Sequence, residues 1–337
     1  LYEQARITLQ KHFNAKHAYE IIFTSGTTHS INVVASGFSS MLKKGDEIIV
    51  SALEHHSNIV PWQMLCEKTG AELKVIPMNE EGSLIMSEYD KLLSENTKLV
   101  FCNHISNALG TINPIEEIIK KAHLVGAAVL IDGAQSTPHM KVDFQDLDVD
   151  FYVTSAHKIC GPTGVGLLYG KQEWLEKLPP YQGGGEMIDT VTFEKTTYAG
   201  LPHKFEAGTP NICGGIAFGV AIDYMNTIGF DAIGIYEQEL LAYGTQELLK
   251  IDGVRIYGTA HKTSVISFNV AEIHPYDIGS ILDKLGIAVR TGHHCAQPIM
   301  EFYKIPGTVR ASFAFYNTKE EIDVFIKGLQ KTIMMLG

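Results

Sequence analysis

Cysteine is scarce in this 337-residue chain: five residues, at positions 66, 102, 160, 213 and 295, with no C-x-x-C pair among them. An odd, scattered set excludes a disulfide framework and a zinc knuckle, and fits a reducing cytoplasm. Basic charge is also short, since 27 Lys and Arg stand against 38 Asp and Glu for a formal net charge of −11. Neutralising a phosphate backbone takes clustered cations, which are lacking, so nucleic acid is not expected as a partner. Proteins and small molecules are. No apolar run reaches the ~20 residues of a membrane-spanning helix, and no basic-then-apolar secretory signal opens the chain, so no membrane association is expected. Internal repeats and low-complexity segments are missing too.

What is present is ordinary globular composition, 45% hydrophobic and 19% charged, enough for a large core and, by length, for two domains. The chain opens at Leu1 inside a helical pattern that puts Leu1, Ala5 and Leu9 on one face, so a segment upstream is expected. From Ile21 onwards, short apolar runs alternate with helical segments. The runs Glu47 to Val50, Leu73 to Pro77, Leu99 to Asn103, Val129 to Ile131, Phe151 to Thr154 and Val165 to Tyr169 predict strands. Ile59 to Lys68 and Ile115 to Leu124 predict helices, the second entered through Pro114 in its first turn. This is the texture of an α/β fold, a large doubly wound, mostly parallel sheet. Beyond Gly183 to Gly185 and Glu206-Ala-Gly-Thr-Pro210 comes a long helical stretch, Gly214 to Lys250, then β-like runs at Val265 to Val270 and Ile287 to Val289 and terminal helices. A large domain over 12–225 and a smaller α+β C-terminal domain over 226–337 are expected.

In such sheets ligands bind where strands end and helices begin. Phe23-Thr-Ser-Gly-Thr-Thr28 stands at such a place, where glycine permits close backbone approach and hydroxyls with helix N-terminal amides suit a phosphate. A simple turn and helix cap would look the same. Asp132 ends an apolar strand, a poor place for a carboxylate unless a cation faces it, although it could merely cap the next helix. Lys158 ends another strand, and the loop Gly161-Pro-Thr-Gly164 leaves it free to face a cleft, where desolvation would lower its pKa and make it a nucleophile. A lone lysine in a loop is usually just solvated. The conjunction of phosphate cradle, buried acid and lysine is the equipment of a pyridoxal-phosphate site.

The series Gly26-Thr27-Thr28, Glu54-His55-His56-Ser57-Asn58, Ser106-Asn107, Asp132-Gly-Ala-Gln135, Ser155-Ala-His-Lys158 and Arg290-Thr-Gly-His-His-Cys295-Ala resembles the cysteine desulfurases of the SufS type, within the class V aminotransferases of fold type I. The resemblance spans essentially the whole chain. The last motif is similar to the SufS branch rather than the NifS/IscS branch, whose catalytic cysteine lies in a longer loop. The resemblance implies pyridoxal 5'-phosphate joined covalently to Lys158, which later shuttles a proton, with His55 stacked on the ring and Asp132 paired with its nitrogen. It implies Gln135 on the phenolic oxygen, Asn107 against cofactor and substrate, and Thr27, Ser155 and His157 on the phosphate near Thr28. Thr209 matches a threonine that reaches the phosphate of a neighbouring subunit, so a homodimer is expected. Arg310 matches the arginine that clamps the substrate carboxylate, with Arg290 a second arginine near the catalytic loop.

Cys295 is then the nucleophile that takes sulfur from L-cysteine as a persulfide and leaves alanine. Flanking His294, His293 and Arg290 are expected to supply the electropositive setting of a thiolate. The remaining cysteines, Cys66, Cys102, Cys160 and Cys213, read as small core residues. The resemblance also implies a SufE-like or SufU-like sulfur acceptor, delivery to iron–sulfur cluster assembly, and an N-terminal stretch of which residues 1–11 are the remnant. Other readings stay open. L-selenocysteine could occupy the same clamp, as in a selenocysteine lyase, whereas an aminotransferase does not need Cys295. A non-catalytic metal site built on His293, His294 and Cys295 would leave the phosphate, acid and lysine set unexplained.

Overall fold

In the computed structural model, which describes residues 1–336 and leaves Gly337, the last residue of the expected C-terminal domain, outside them, the apolar runs of the first half form one sheet. Its strands are β1 (Ile21–Thr24), β2 (Glu47–Ser51), β3 (Glu72–Ile76), β4 (Thr97–Asn103), β5 (Ala128–Asp132), β6 (Phe151–Ser155) and β7 (Gly166–Gly170). Their spatial order is β1-β7-β6-β5-β4-β2-β3, parallel throughout except for β7, which runs against both neighbours. Every residue of β5, β6 and β7 is buried. Helices cover both faces, which is why these strands read as continuous apolar runs rather than alternating ones. The six predicted strands are all present, differing only at their ends. The helices Val60–Thr69 and Ile115–Leu124 match their expected spans, with Pro114 at the cap position just before the second.

A hairpin of β8 (Ile188–Val191) and β9 (Thr196–Tyr198) leads to a second, antiparallel sheet. This sheet contains β10 (Val254–Tyr257), β11 (Val265–Val270), β12 (Arg290–Gly292) and β13 (Thr308–Ser312) in the order β10-β11-β13-β12. Two expectations need correction here. The stretch Gly214 to Lys250 is not one helix but two, Ile212–Ile228 and Phe230–Leu248, bent by 73° about Gly229, whose φ of +90° suits glycine. Apolar residues continue across the break, so periodicity alone hides it. Among the described residues no single helix is long and apolar enough to cross a membrane. Ile287 to Val289 is not a strand: the ladder begins at Arg290, and Ile287 and Val289 are apolar because they pack on the small-sheet core.

The core follows the same division. Two apolar layers sandwich the large sheet, and a third joins the small sheet to the ends of Phe230–Leu248 and Lys319–Leu336. The helix Tyr2–His12 buries Ala5 and Leu9 in the first layer, while Leu1 is exposed rather than sharing that face. Ala296, Ile299 and Met300 belong to this large-sheet layer as well, so the chain just after Cys295 is anchored on the large sheet. Of the cysteines expected in the core, only Cys102 is fully buried and Cys66 is half-buried. Cys160 and Cys213 are exposed, because they lie in a turn at φ +61° and in the outward first turn of Ile212–Ile228.

Gly133, directly after Asp132, marks how tightly the end of β5 is packed. A Cβ there would lie 1.9 Å from the Tyr152 ring, which is fully buried with its hydroxyl hydrogen-bonded to Ser136 and His104. Gly133→Ala is therefore expected to destabilise the protein by about 2–3 kcal/mol through overpacking, seen as a lower urea midpoint at unchanged slope.

Candidate active site

Asn103 and Asp132 stand side by side at the C-terminal ends of β4 and β5. Ser155 closes β6 and Thr24 closes β1, and both register with Gly166 of β7 from opposite sides. That glycine is obligatory, since a Cβ at 166 would meet the Gly26 Cα at 2.5 Å. With the chains this close, the Thr27 backbone N–H donates to Ser155 Oγ at 2.9 Å and the two hydroxyls share a bond of 2.8 Å. Gly26, at φ +144°, turns the chain from β1 into the helix Thr27–Phe38, whose N-terminus faces the same opening. A cavity of about 260 Å³ lies there. Its walls include Thr27, Thr28, Ser155 and His157, the strand-end Asp132 with Gln135, and His55, Asn107, Lys158 and Arg290. A more open hollow of about 610 Å³ beside Gly229 has no such row of strand ends, so chemistry rather than size selects the smaller one.

Asp132 is 5% exposed, and one of its oxygens accepts the Ala134 backbone N–H at 2.9 Å. Burial raises its pKa, against the pull of nearby Lys158. Lys158, half-buried in the short turn after β6, has its pKa lowered first by burial and then by Arg310 and Arg290, while Asp132 and Cys295 oppose the shift. A buried carboxyl group and an amine pushed toward its neutral form thus face one cavity. His55 Nδ1 accepts the Ser57 backbone N–H at 3.1 Å and lies 2.8 Å from Ser57 Oγ. Burial, then Lys158, lowers its pKa to about 4, so the ring is neutral.

Cys295 and Arg310 do not line the cavity wall but sit at its rim. Arg310 lies directly across from Arg290 in the β12–β13 ladder. Its Nη1 donates to the Asn107 carbonyl oxygen at 2.7 Å, and its buried Nε has no partner. Burial and the Arg290 charge lower its pKa to about 10. Two adjacent guanidiniums with spare donors form a receptor for a carboxylate. Arg290 Nη2 is 3.8 Å from Cys295 Sγ. Cys295 (φ +56°) and His294 (φ +53°) are consecutive left-handed residues, strained by roughly 1–3 kcal/mol each. Asn107 Nδ2 donates to the His294 carbonyl oxygen at 2.6 Å, which leaves the buried Asn107 Oδ1 unpartnered.

One electrostatic expectation fails. His294 is 2% exposed, its Nε2 lies 2.8 Å from Thr308 Oγ1, and burial and the arginines hold its pKa near about 3. It is neutral and bonded to Thr308, so the positive charges near Cys295 are those of Arg290, Arg310 and Lys158. His293 Nδ1 accepts the Cys295 backbone N–H at 3.1 Å. The side chains of His293, His294 and Cys295 therefore diverge, and among the described residues no group of three metal-ligating side chains is placed to hold an ion. Thr209 is exposed and does not line the cavity of its own chain.

Three supporting residues carried no role in the sequence reading. Buried Glu54 accepts hydrogen bonds from Ser51 Oγ, from Asn58 Nδ2 at 2.6 Å and from the Asn103 backbone N–H at 2.8 Å, tying the His55 loop to β4. Burial raises its pKa to about 8. Ser57, two residues after His55, orients that ring; the spacing was visible, but its meaning was not. Arg6, 1% exposed, reaches Glu206 at 2.7 Å and holds the segment that presents Thr209.

The family model described as Aminotransferase class-V matches residues 1–325. The cysteine desulfurase of Cronobacter sakazakii is 51% identical over 99% of this chain and 83% of its own length. Among solved structures, the Escherichia coli cysteine desulfurase CsdA superposes with a TM-score of 0.97 at 37% identity, covering 100% of this chain and 84% of its own. A cysteine desulfurase from Thermococcus onnurineus NA1 gives 0.96 at 40% identity, covering 99% and 84%.

Proposed function

Because this chain belongs to the class V aminotransferases and, within them, to the cysteine desulfurases, we propose that Lys158 holds the family's pyridoxal 5'-phosphate and that Cys295 takes sulfur from L-cysteine. The observation that carries the reading is the convergence of Asp132, Lys158, the Arg290–Arg310 pair and Cys295 on one small cavity.

The cavity fits the cofactor on several counts. Asp132 is a buried acid with an oxygen free for a cation, which a protonated pyridine nitrogen supplies. A helix N-terminus with Thr27, Thr28 and Ser155 suits a phosphate. His55, neutral and fixed by Ser57, suits stacking on a cationic ring, with Gln135 and His157 beside it. Bound there, the cofactor supplies an electron sink for charge released at the substrate Cα.

The chain's own groups do the rest. Arg310, with Arg290, binds the substrate carboxylate, and Asn107 steadies that site through its carbonyl oxygen. Lys158, depressed toward neutrality, moves the proton at the substrate carbon. The Cys295 thiolate, beside Arg290, attacks the substrate sulfur: an S–S bond forms, the C–S bond breaks, and its electron pair stays with the carbon skeleton, which takes up a proton and leaves as alanine. Alanine release in step with persulfide on Cys295 tests this. Arg310→Lys is expected to lower kcat/KM for L-cysteine by about 10- to 100-fold, mainly through KM, because an ammonium cannot reproduce the bidentate grip. Unchanged kinetics would remove Arg310 from the clamp.

We further propose the SufS role: a cytoplasmic homodimer that delivers sulfur through a SufE-like or SufU-like acceptor to iron–sulfur cluster assembly. The Arg290-Thr-Gly-His-His-Cys295-Ala motif supports the branch. Thr209, exposed and outside the lining of its own cavity, supports contribution to a second copy's phosphate site. Transfer of the Cys295 persulfide to either acceptor, monitored by mass, tests the assignment.

A further inference from the structure

Two consecutive left-handed residues, His294 and Cys295, do not hold their shape unaided. Ala296 anchors the far side of this turn in the large-sheet core, and Asn107 holds its near side at the His294 carbonyl. The span between is gripped by one residue from the other side of the cleft. The His56 backbone N–H donates to the Cys295 carbonyl oxygen at 2.7 Å, and its ring Nε2 accepts the Gln297 backbone N–H at 3.1 Å. The second contact needs an acceptor at Nε2, so the ring is neutral in this arrangement. Gln297 opens the helix Gln297–Tyr303 and its amide finds its partner outside the helix, at His56, which takes the place of a cap. His56 is also the residue next to His55, so one short segment carries both the ring proposed to stack on the cofactor and the grip on the thiol loop.

We propose that His56 is a positioning residue that fixes the reach of Cys295 Sγ into the cleft by capping the helix behind it. This rests on Cys295 being the sulfur acceptor. The His56 side chain is absent from the cavity wall. The contact to Cys295 is made by the backbone N–H of residue 56, which every side chain but proline leaves in place, so the ring's contribution can be isolated by exchanging side chains of similar length with and without an acceptor.

The test compares His56→Gln, whose side-chain oxygen can accept the Gln297 N–H, with His56→Met, which lacks a comparable acceptor. Hydrogen exchange of the 295–300 peptide is expected to quicken in His56→Met and to stay near the parent in His56→Gln. Single-turnover persulfide formation on Cys295 should slow about tenfold or more in His56→Met, with KM for L-cysteine and cofactor absorbance within about twofold, and recover to within about threefold in His56→Gln. Equal behaviour of the two variants in exchange or in persulfide rate, including a shared failure to fold, would overturn the proposal. Full turnover retained by Cys295→Ala would instead overturn the sulfur-acceptor reading, and the exchange comparison is independent of that result.

Discussion

Replacing Lys158 with Ala is expected to abolish covalent attachment of the cofactor and to cut alanine release from L-cysteine by at least about 10³-fold, the scale of losing a positioned acid–base group on top of the anchor. The amine is fitted to both tasks by its surroundings. Burial and two arginines make its charged form costly, and Asp132 keeps that cost within bounds. An ordinary solvated lysine would be almost wholly protonated at neutral pH and a poor nucleophile. Borohydride reduction followed by peptide mapping should place a cofactor adduct on Lys158 in the parent and none in the variant. An adduct on another lysine, or a visible cofactor band that survives unchanged in Lys158→Ala, would refute the assignment. Asp132, Thr27 and Ser155 remain in the variant, so weak non-covalent cofactor binding should persist there, detectable by ultrafiltration.

Cys295→Ala is expected to keep the cofactor's absorbance and the response of that absorbance to L-cysteine, yet lose sustained alanine formation by about 10³-fold or more. This pattern separates the two residues. Lys158 lies in the turn after β6 and Cys295 on the loop after β12, and the thiol takes part in none of the contacts that hold the cavity's base. Mass spectrometry should find one added sulfur atom on the Cys295 peptide of the parent after a single turnover. The other cysteines serve as internal controls. Cys160 and Cys213 are exposed and could take up sulfur adventitiously, whereas Cys102 is sealed in the core with its thiol pKa raised by burial. Persulfide on Cys160 or Cys213 at the expense of Cys295, or full turnover in Cys295→Ala, would show the nucleophile to be elsewhere. The positive charge near the thiol comes from Arg290, Arg310 and Lys158 rather than from His294, which is buried and neutral.

Apolar runs in the chain are enough to specify the large sheet and to mark the strand ends that border its cavity. β5 and β6 are buried on both faces, and such strands must be continuous apolar runs, which any reader of the sequence can see. A polar residue at the end of such a run is conspicuous for the same reason, and that is how Asp132 and Lys158 stand out, whereas Ser155 is named only through the family resemblance. Tertiary structure alone decided what depends on contact between distant segments. It broke the helical stretch at Gly229, where apolar residues run on through a change of direction, and it set the first rung of β12 at Arg290, where pairing rather than hydrophobicity defines the strand. It also neutralised His294 by turning it onto Thr308 and brought His56 across to Cys295 and Gln297. Local pattern records which surfaces are buried, because burial selects for apolar side chains. The charge on a histidine and the partner of an amide depend on residues of other segments, 14 positions away for His294 and Thr308 and 241 for Gln297 and His56, and no local pattern carries them.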